Sequence, residues 1–370
     1  MEHKKTKALF ILHATPPMHG AAIVGDIIFN SEKIKASFDS KFIFINSSDL
    51  ISDIGKVSLK KISSSIKLFL KVFFSLLTHQ PEKIYFTPSP SGIAFYRDFL
   101  ISFLWKFFSV FRNIEIFYHY HARGIEKFTS SSKIKNIATN FFMKRANIIL
   151  LDPLLKNELK DIKTYKKIFF LQNGISDQIS EEEFKDICQL KYTDPKRINI
   201  LFLSHMMKSK GFDIVLELAK KFKNEDLHFH FAGNWKNKDD ETFFYEFIEK
   251  NTLSSSITYH GFVDGNKKKL LFSESHILAY PSREDAFPLT ILESLSFGLP
   301  VIASSVGAIP SIVNEKCGKI AHNINDFQDC FSLFYKDFLN TSSAISCRNE
   351  FQKQYSINTF ESRFISILKN

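Results

Sequence analysis

Cysteine is scarce in this chain, and the four that occur are poorly placed for metal or disulfide chemistry. Cys188, Cys317, Cys330 and Cys347 form no C-x-x-C pair and no ligand-like spacing. They read as reduced thiols of a cytosolic protein. Long apolar runs are also missing. The most apolar stretch, Phe99–Phe111, contains Lys106 and is too short to span a bilayer. At the N-terminus a basic segment precedes an apolar core of only Ala8–Leu12, interrupted by His13 and a proline pair, which is too short for a secretory signal. The expectation is therefore a soluble, cytoplasmic protein. G-x-G-x-x-G is absent, which disfavours a dinucleotide cofactor. A P-loop, a Ser/His/Asp order, zinc spacing, a D-x-D pair, internal repeats and low-complexity tracts are absent too. Acids are missing locally: from Ile54 to Pro81 there are none, while Lys56, Lys60, Lys61, Lys67 and Lys71 all occur.

What is present points to two domains. A chain of 370 residues exceeds one ordinary core, and 44% hydrophobic with 24% charged residues is the balance of a folded protein. Short apolar strands are predicted at Lys7–His13, Phe42–Ile45, Ile84–Phe86, Ile114–Tyr118, Ile148–Leu151 and Ile168–Leu171. A second set follows at Ile198–Leu203, Leu227–Ala232, Ile257–Val263, Ile277–Tyr280, Val301–Ser304 and Lys319–His322. Helical patterns separate most of them, as in parallel sheets covered on both faces. Residues 176–197 are polar, acidic early and carry Pro195, and are read as the passage between domains.

The stretch Pro281–Val306 (PSREDAFPLTILESLSFGLPVIASSV) organises the second half. A strand ends at Tyr280, an acidic loop follows, and a helix begins near Leu289. Strand, polar loop and helix N-terminus is how open α/β sheets present a ligand crevice. The free amides near Phe287–Thr290 would point at an anion, and Pro288 suits the first helical turn. An ordinary βαβ unit with exposed acids has the same pattern. Further strand-end segments are Pro16-Pro17-Met18-His19-Gly20, where Gly20 allows close backbone approach, and Tyr118–Gly124 (YHYHARG). In the latter, His119 and His121 share one strand face; His-x-His could be a metal pair, but no third ligand is evident. Ser204–Gly211 (SHMMKSKG) is a basic turn, and Gly233 and His260-Gly261-Phe262-Val263 close two other strands.

Together these segments resemble the retaining GT-B glycosyltransferases of family 4 (glycosyl transferases group 1) over nearly the whole chain. Asp285 and Glu293 stand eight positions apart (293 − 285 = 8), flanking a Phe-Pro-Leu turn. The first acid is Asp where the family usually has Glu, with Glu284 beside it. Lys210-Gly211 matches the family's Lys-Gly, whereas Ser204 and His205 stand where Gly and Arg are usual. A neutral His cannot supply the guanidinium's fixed bidentate charge. Either His205 is protonated beside phosphates or Lys208 supplements Lys210.

The resemblance implies an α/β GT-B fold of two facing Rossmann-like domains with an interdomain cleft. The boundaries it suggests are an acceptor domain 1–175, a linker 176–197, a donor domain 198–341, and a helical tail 342–370 returning to the first domain. It implies a donor site of Ser204, His205, Lys210, Gly233, Gly261, Phe262, Asp285, Ala286, Phe287, Pro288, Leu289 and Glu293. In this assignment Asp285 holds the sugar, Glu293 the ribose, and Lys210, His205 and the amides at Phe287–Thr290 the diphosphate. Gly20 and His121 would face the acceptor, with Asp285, His121 and Lys210 as the catalytic set. Asn173-Gly174-Ile175 matches a family turn closing the first domain. Lacking D-x-D, the chain is expected to need no metal and no cofactor beyond a UDP- or GDP-linked sugar as co-substrate.

The expected function is transfer of a sugar to a glycan or lipid-linked acceptor in bacterial surface polysaccharide (O-antigen or capsule) biosynthesis. A sugar-nucleotide epimerase and a non-catalytic partner subunit are the rival readings. The basic run Lys56–Lys71 overlaps an amphipathic helix with Ile62, Ile66, Phe69 and Phe73 at helical spacing, which either covers the sheet or presents lysines to an anionic inner membrane. No nucleic-acid-binding motif is present.

Overall fold

The computed structural model describes residues 4–16, 19–45, 59–192, 197–323 and 326–370, with the side chains of 59–61 and 336 left aside. Pro17, Met18, Lys56 and Pro195, and the side chains of Lys60 and Lys61, lie outside the described residues. The chain divides into two units: Met1–Gly174 with Ile357–Asn370, and Ile175–Ser356.

Unit 1 is built on a six-stranded sheet, every pairing parallel, in the order β2-β1-β3-β4-β5-β6. The strands are β1 (Lys7–Leu12), β2 (Asp39–Phe44), β3 (Lys83–Phe86), β4 (Glu115–Tyr120), β5 (Asn147–Leu150) and β6 (Lys167–Phe170). Parallel strands are covered on both faces and so read as continuous apolar runs; in β1 every residue from Ala8 to Leu12 is buried. Alternation sends Leu9 and Ile11 to one side and Ala8, Phe10 and Leu12 to the other. The first side is covered by α3 (Leu59–Thr78), α4 (Gly92–Phe111) and α6 (Lys133–Met143), through residues such as Val72, Trp105 and Phe142. The short α5 (Ile125–Ser130) precedes α6. The second side is covered by α1 (Gly20–Asn30), α2 (Glu32–Ser37) and the C-terminal α15 (Ile357–Lys369), through Val24, Ile34, Phe360 and Phe364.

Unit 2 repeats the design in the order β12-β11-β10-β7-β8-β9, again parallel throughout. Its strands are β7 (Ile198–Leu203), β8 (Leu227–Ala232), β9 (Ile257–Tyr259), β10 (Ile277–Tyr280), β11 (Val301–Ser304) and β12 (Gly318–Ala321). Its helices are α7 (Glu181–Tyr192), α8 (Phe212–Lys221), α9 (Lys238–Asn251), α10 (Gly265–Glu274), α11 (Leu289–Ser296), α12 (Ile309–Ile312), α13 (Asp326–Phe338) and α14 (Thr341–Glu350). The order reverses at β7: β8 and β9 lie on one side of it, β10 to β12 on the other. Such a reversal leaves a crevice at the strands' carboxyl ends.

Three sequence expectations are amended. Residues 176–197 are no loose passage, because α7 lies within them and is built into unit 2. Arg348, 2% exposed, chelates both oxygens of Asp177 at 2.7 Å and reaches Glu181 Oε1 at 3.0 Å. The Phe184 ring packs where Gly298 carries no Cβ. The tail likewise splits: residues up to Ser356 belong to unit 2, and only Ile357 onward joins unit 1. Finally, β9 stops at Tyr259, four residues before Val263, since Gly261 turns the chain at φ +67.

Candidate functional site

At the reversal point of unit 2, the loops after β7 and β10 are pressed together. Gly211, at φ +86, ends the turn Lys208–Lys210; a Cβ there would lie 2.2 Å from the Pro281 carbonyl oxygen. Only glycine permits that approach. The Arg283 amide donates to Ser209 O at 2.8 Å, and its guanidinium forks onto Asp213 at 2.8 and 2.7 Å. This bracing sets Lys210 Nζ against Asp285 Oδ2 at 2.8 Å, with a second bond to the Glu284 carbonyl at 2.8 Å. Tyr280 Oη (2.9 Å) and Ser282 Oγ (3.1 Å) donate to the same Asp285 oxygen. Residues 75 positions apart in the chain thus share one carboxylate.

Other strand ends complete the rim. Gly233, at φ +146, follows β8; a Cβ there would meet Ser204 O at 1.7 Å, and its amide donates to Gly261 O at 2.8 Å. Gly307 follows β11 and lies under the acidic loop, with the Ala308 amide donating to Ala286 O at 2.8 Å. Helix α11 starts at Leu289; Pro288, expected in the first helical turn, is instead its extended N-cap residue, and no side chain caps the first amides. The Ile291 amide already donates to Pro288 O at 3.3 Å, which leaves the Leu289 and Thr290 amides ahead of it to face an anion. Glu293, on α11, pairs with Lys268 at 2.5 Å.

The cations differ from expectation in one respect. Burial lowers the His205 pKa, and the Lys236 and Lys210 charges lower it further against the opposing pull of Asp285. The ring is therefore biased toward neutral. Lys208 points elsewhere, its Nζ 4.0 Å from the Phe243 ring centre. Lys236, like Lys210, is close enough to act on His205 and is a further cation there. Sequence reasoning missed Lys236, Lys268, Tyr280, Ser282 and Gly307. Their only signal is position, just past or facing a strand's carboxyl end. Among the residues singled out, Ser204, His205, Lys210, Gly233, Asp285 and the α11 start (Pro288, Leu289) come together. Ala286 and Phe287 are buried, Phe287 against Tyr355 at 6.2 Å, so their side chains pack inward. Phe262 is exposed beside Gly261.

Unit 1 gathers imidazoles at the same end of its sheet. His119 is buried and bonded through Nδ1 to Tyr85 Oη at 2.7 Å, while the His121 ring lies tilted against it with centroids 4.0 Å apart. The His13 and His19 rings lie 5.5 Å apart. Burial, with the nearby Arg97, His19 and His121 charges, drives His13 down to about 3, and burial with His19 does the same to His121. Both His121 ring nitrogens and Asn173 Oδ1 are shielded without a hydrogen-bond partner. Asn173, read from sequence as part of a turn, is 2% exposed and acts on His121. Gly20 opens α1 with no heavy atom within 4 Å of a built Cβ. Within the fold the close backbone contact is made by Gly25, whose Cβ would lie 1.8 Å from His13 O. Among the described residues no group of three or more His, Cys, Asp or Glu side chains is placed to hold a metal ion.

Two parallel six-stranded sheets, each covered by helices on both faces, make an α/β protein of the GT-B type. Residues 188–326 match the family described as "Glycosyl transferases group 1". The chain is 24% identical to an uncharacterized 41.2 kDa protein of the cps region of Klebsiella pneumoniae, covering 95% of this chain and 98% of that protein. Its fold matches the sucrose-phosphate synthase of Thermosynechococcus elongatus (TM-score 0.72, 13% identity, 99% of this chain and 98% of that one). It also matches HepE of Anabaena in complex with UDP (TM-score 0.69, 15% identity, 98% and 100%).

Proposed function

We propose that the chain is a retaining, family 4 glycosyltransferase that moves a sugar from a UDP- or GDP-linked donor to a glycan or lipid-linked acceptor in surface polysaccharide assembly. The observation that carries this reading is the Lys210–Asp285 contact beside the uncapped start of α11. The match of residues 188–326 to the group 1 family supports it, as does similarity to a protein of a cps region.

When the glycosidic bond breaks, negative charge develops on the departing diphosphate, and donors fixed in advance stabilise it most. Lys210, Lys236 and the α11 amides fill that role, and they do so without calling on a divalent ion. An arriving diphosphate competes for Lys210 Nζ. That frees Asp285, still held by Tyr280 and Ser282, to accept from sugar hydroxyls. The same dianion raises the depressed His205 pKa by opposite charge and lets the ring donate. Glu293, oriented by Lys268, takes the ribose hydroxyls. On the acceptor side, His121, held neutral by burial and with both ring nitrogens unpartnered, can hydrogen-bond a hydroxyl.

The test is incubation with UDP- and GDP-sugars and candidate acceptors in EDTA, following nucleoside diphosphate release and product anomeric configuration by NMR. A retained-configuration glycoside supports the reading. An isomerised donor, or donor binding with neither transfer nor hydrolysis, refutes it.

A further inference from the structure

Helix α4 carries two apolar stripes where a sheet-covering helix needs one. Phe95, Ile101, Trp105 and Phe108 pack on the sheet. On the opposite side Tyr96, Leu100, Phe103, Phe107, Val110 and Phe111 recur at spacings of three and four, and the last two are 75% and 71% exposed. The stripe continues sideways onto α6. Phe103 and Phe141 rings lie 5.2 Å apart, and Ile134 and Ile137 beyond them are 79% and 69% exposed. On the other flank α3 exposes Ile66 and Phe74. Soluble surfaces rarely show so many contiguous large apolar groups without a partner.

The exposed charge carried by these three helices has one sign. Helices α3, α4 and α6 hold a single carboxylate between them, Asp98, which is fully buried against Arg97 at 2.6 Å. The exposed cations are Lys67 and Lys71 on α3, Lys133 on α6, and Lys144 and Arg145 just past it. Lys106 lies within the stripe, its stem covering the apolar surface and its Nζ over the Phe141 ring at 5.1 Å. A second copy of this face would bring lysine against lysine in a two-fold pairing. Among the described residues no helix is long and apolar enough to cross a membrane. Aromatic and aliphatic side chains rimmed by lysines fit the boundary between acyl chains and anionic headgroups.

We infer that the α3–α4–α6 face of unit 1 docks on an anionic lipid bilayer, with Phe103, Phe107 and Phe111 entering the interface and Lys133, Lys144 and Arg145 on lipid phosphates. The sequence pointed to α3 alone; the structure moves the centre of the surface to α4 and α6. The inference rests on this surface and not on the transferase reading, although it brings such an enzyme to a lipid-linked acceptor.

The experiment is flotation of the full chain with phosphatidylcholine vesicles, with and without phosphatidylglycerol. Binding to the anionic vesicles, weakening as salt is raised, is expected. Phe107→Ser with Phe111→Ser should lower partitioning at least roughly tenfold, and Lys133→Gln and Lys144→Gln by roughly fivefold each. Leu190→Ser, at an 85% exposed apolar site of unit 2, should change nothing. Unchanged melting and unchanged thermal shift with UDP show that the variants fold and keep any nucleotide site, so failure here is separable from failure of the transferase reading. The inference is overturned by equal partitioning onto neutral and anionic vesicles. It is equally overturned by no vesicle binding, including the case in which Phe107→Ser/Phe111→Ser converts a dimer to a monomer.

Discussion

Replacing Gly211 by alanine tests the geometry of the donor site without removing any charged group. The new Cβ would sit 2.2 Å from Pro281 O and 2.9 Å from Pro281 Cγ. To restore ordinary separation the two loops must part by about 1 Å. The residue also stays at φ +86, a region that costs a side-chain-bearing residue about 1–2 kcal/mol. Overpacking adds about 1–3 kcal/mol, giving a total of about 2–5 kcal/mol. Unit 2 spans 182 residues (356 − 175 + 1), so its melting temperature should fall by roughly 5–15 °C. Because Lys210 is the neighbouring residue, its 2.8 Å contact with Asp285 opens by a similar distance. A misplacement of about 1 Å at a reacting centre is expected to lower kcat/KM about 100-fold. Scanning calorimetry and steady-state kinetics read the two effects. Gly20→Ala is the control for stability, since open space surrounds it and it starts a helix; no fall in melting temperature is expected there. A Gly211→Ala protein as stable and as active as the parent refutes the reasoning.

Arg348→Met should destabilise unit 2 by about 3 kcal/mol, the lower end for breaking a buried pair because Asp177 and Glu181 can rehydrate; faster amide exchange in α7 and α14 would report it. Stability of unit 1 should depend on pH through its histidines. Unfolded imidazoles bind protons from 6.5 downward, whereas His13 and His121 resist protonation to about 3. The unfolded state therefore holds more protons between those values, and stability falls as pH drops through that window. Melting temperature measured from pH 7 to 5 should decline, and His121→Asn should flatten the decline.

Much of the fold was legible because parallel strands buried on both faces leave uninterrupted apolar runs. All twelve strands fall within or overlap the segments read from sequence. Residues 176–197 misled because their composition is polar, while Phe184 and Cys188, spaced to bury one helix face, are few among acids. The charged core of the site was legible only in part. Lys210 and Asp285 each stood out in their own loop, but their contact spans 75 positions and depends on Gly211 and Pro281 meeting. Lys236 was invisible because a lysine in a loop has no local mark. Likewise α4 reads as one apolar stretch, and nothing in spacing alone says which of its two stripes the sheet will cover.

The central claim is that Lys210 stabilises the charge on a departing diphosphate, and Lys210→Met measures it. Tyr280 and Ser282 still hold Asp285 in this variant, so donor binding and fold should persist while kcat for transfer from a nucleotide sugar falls about 100- to 1,000-fold. Turnover equal to the parent's, in a protein whose 2.8 Å contact is gone, would contradict the account.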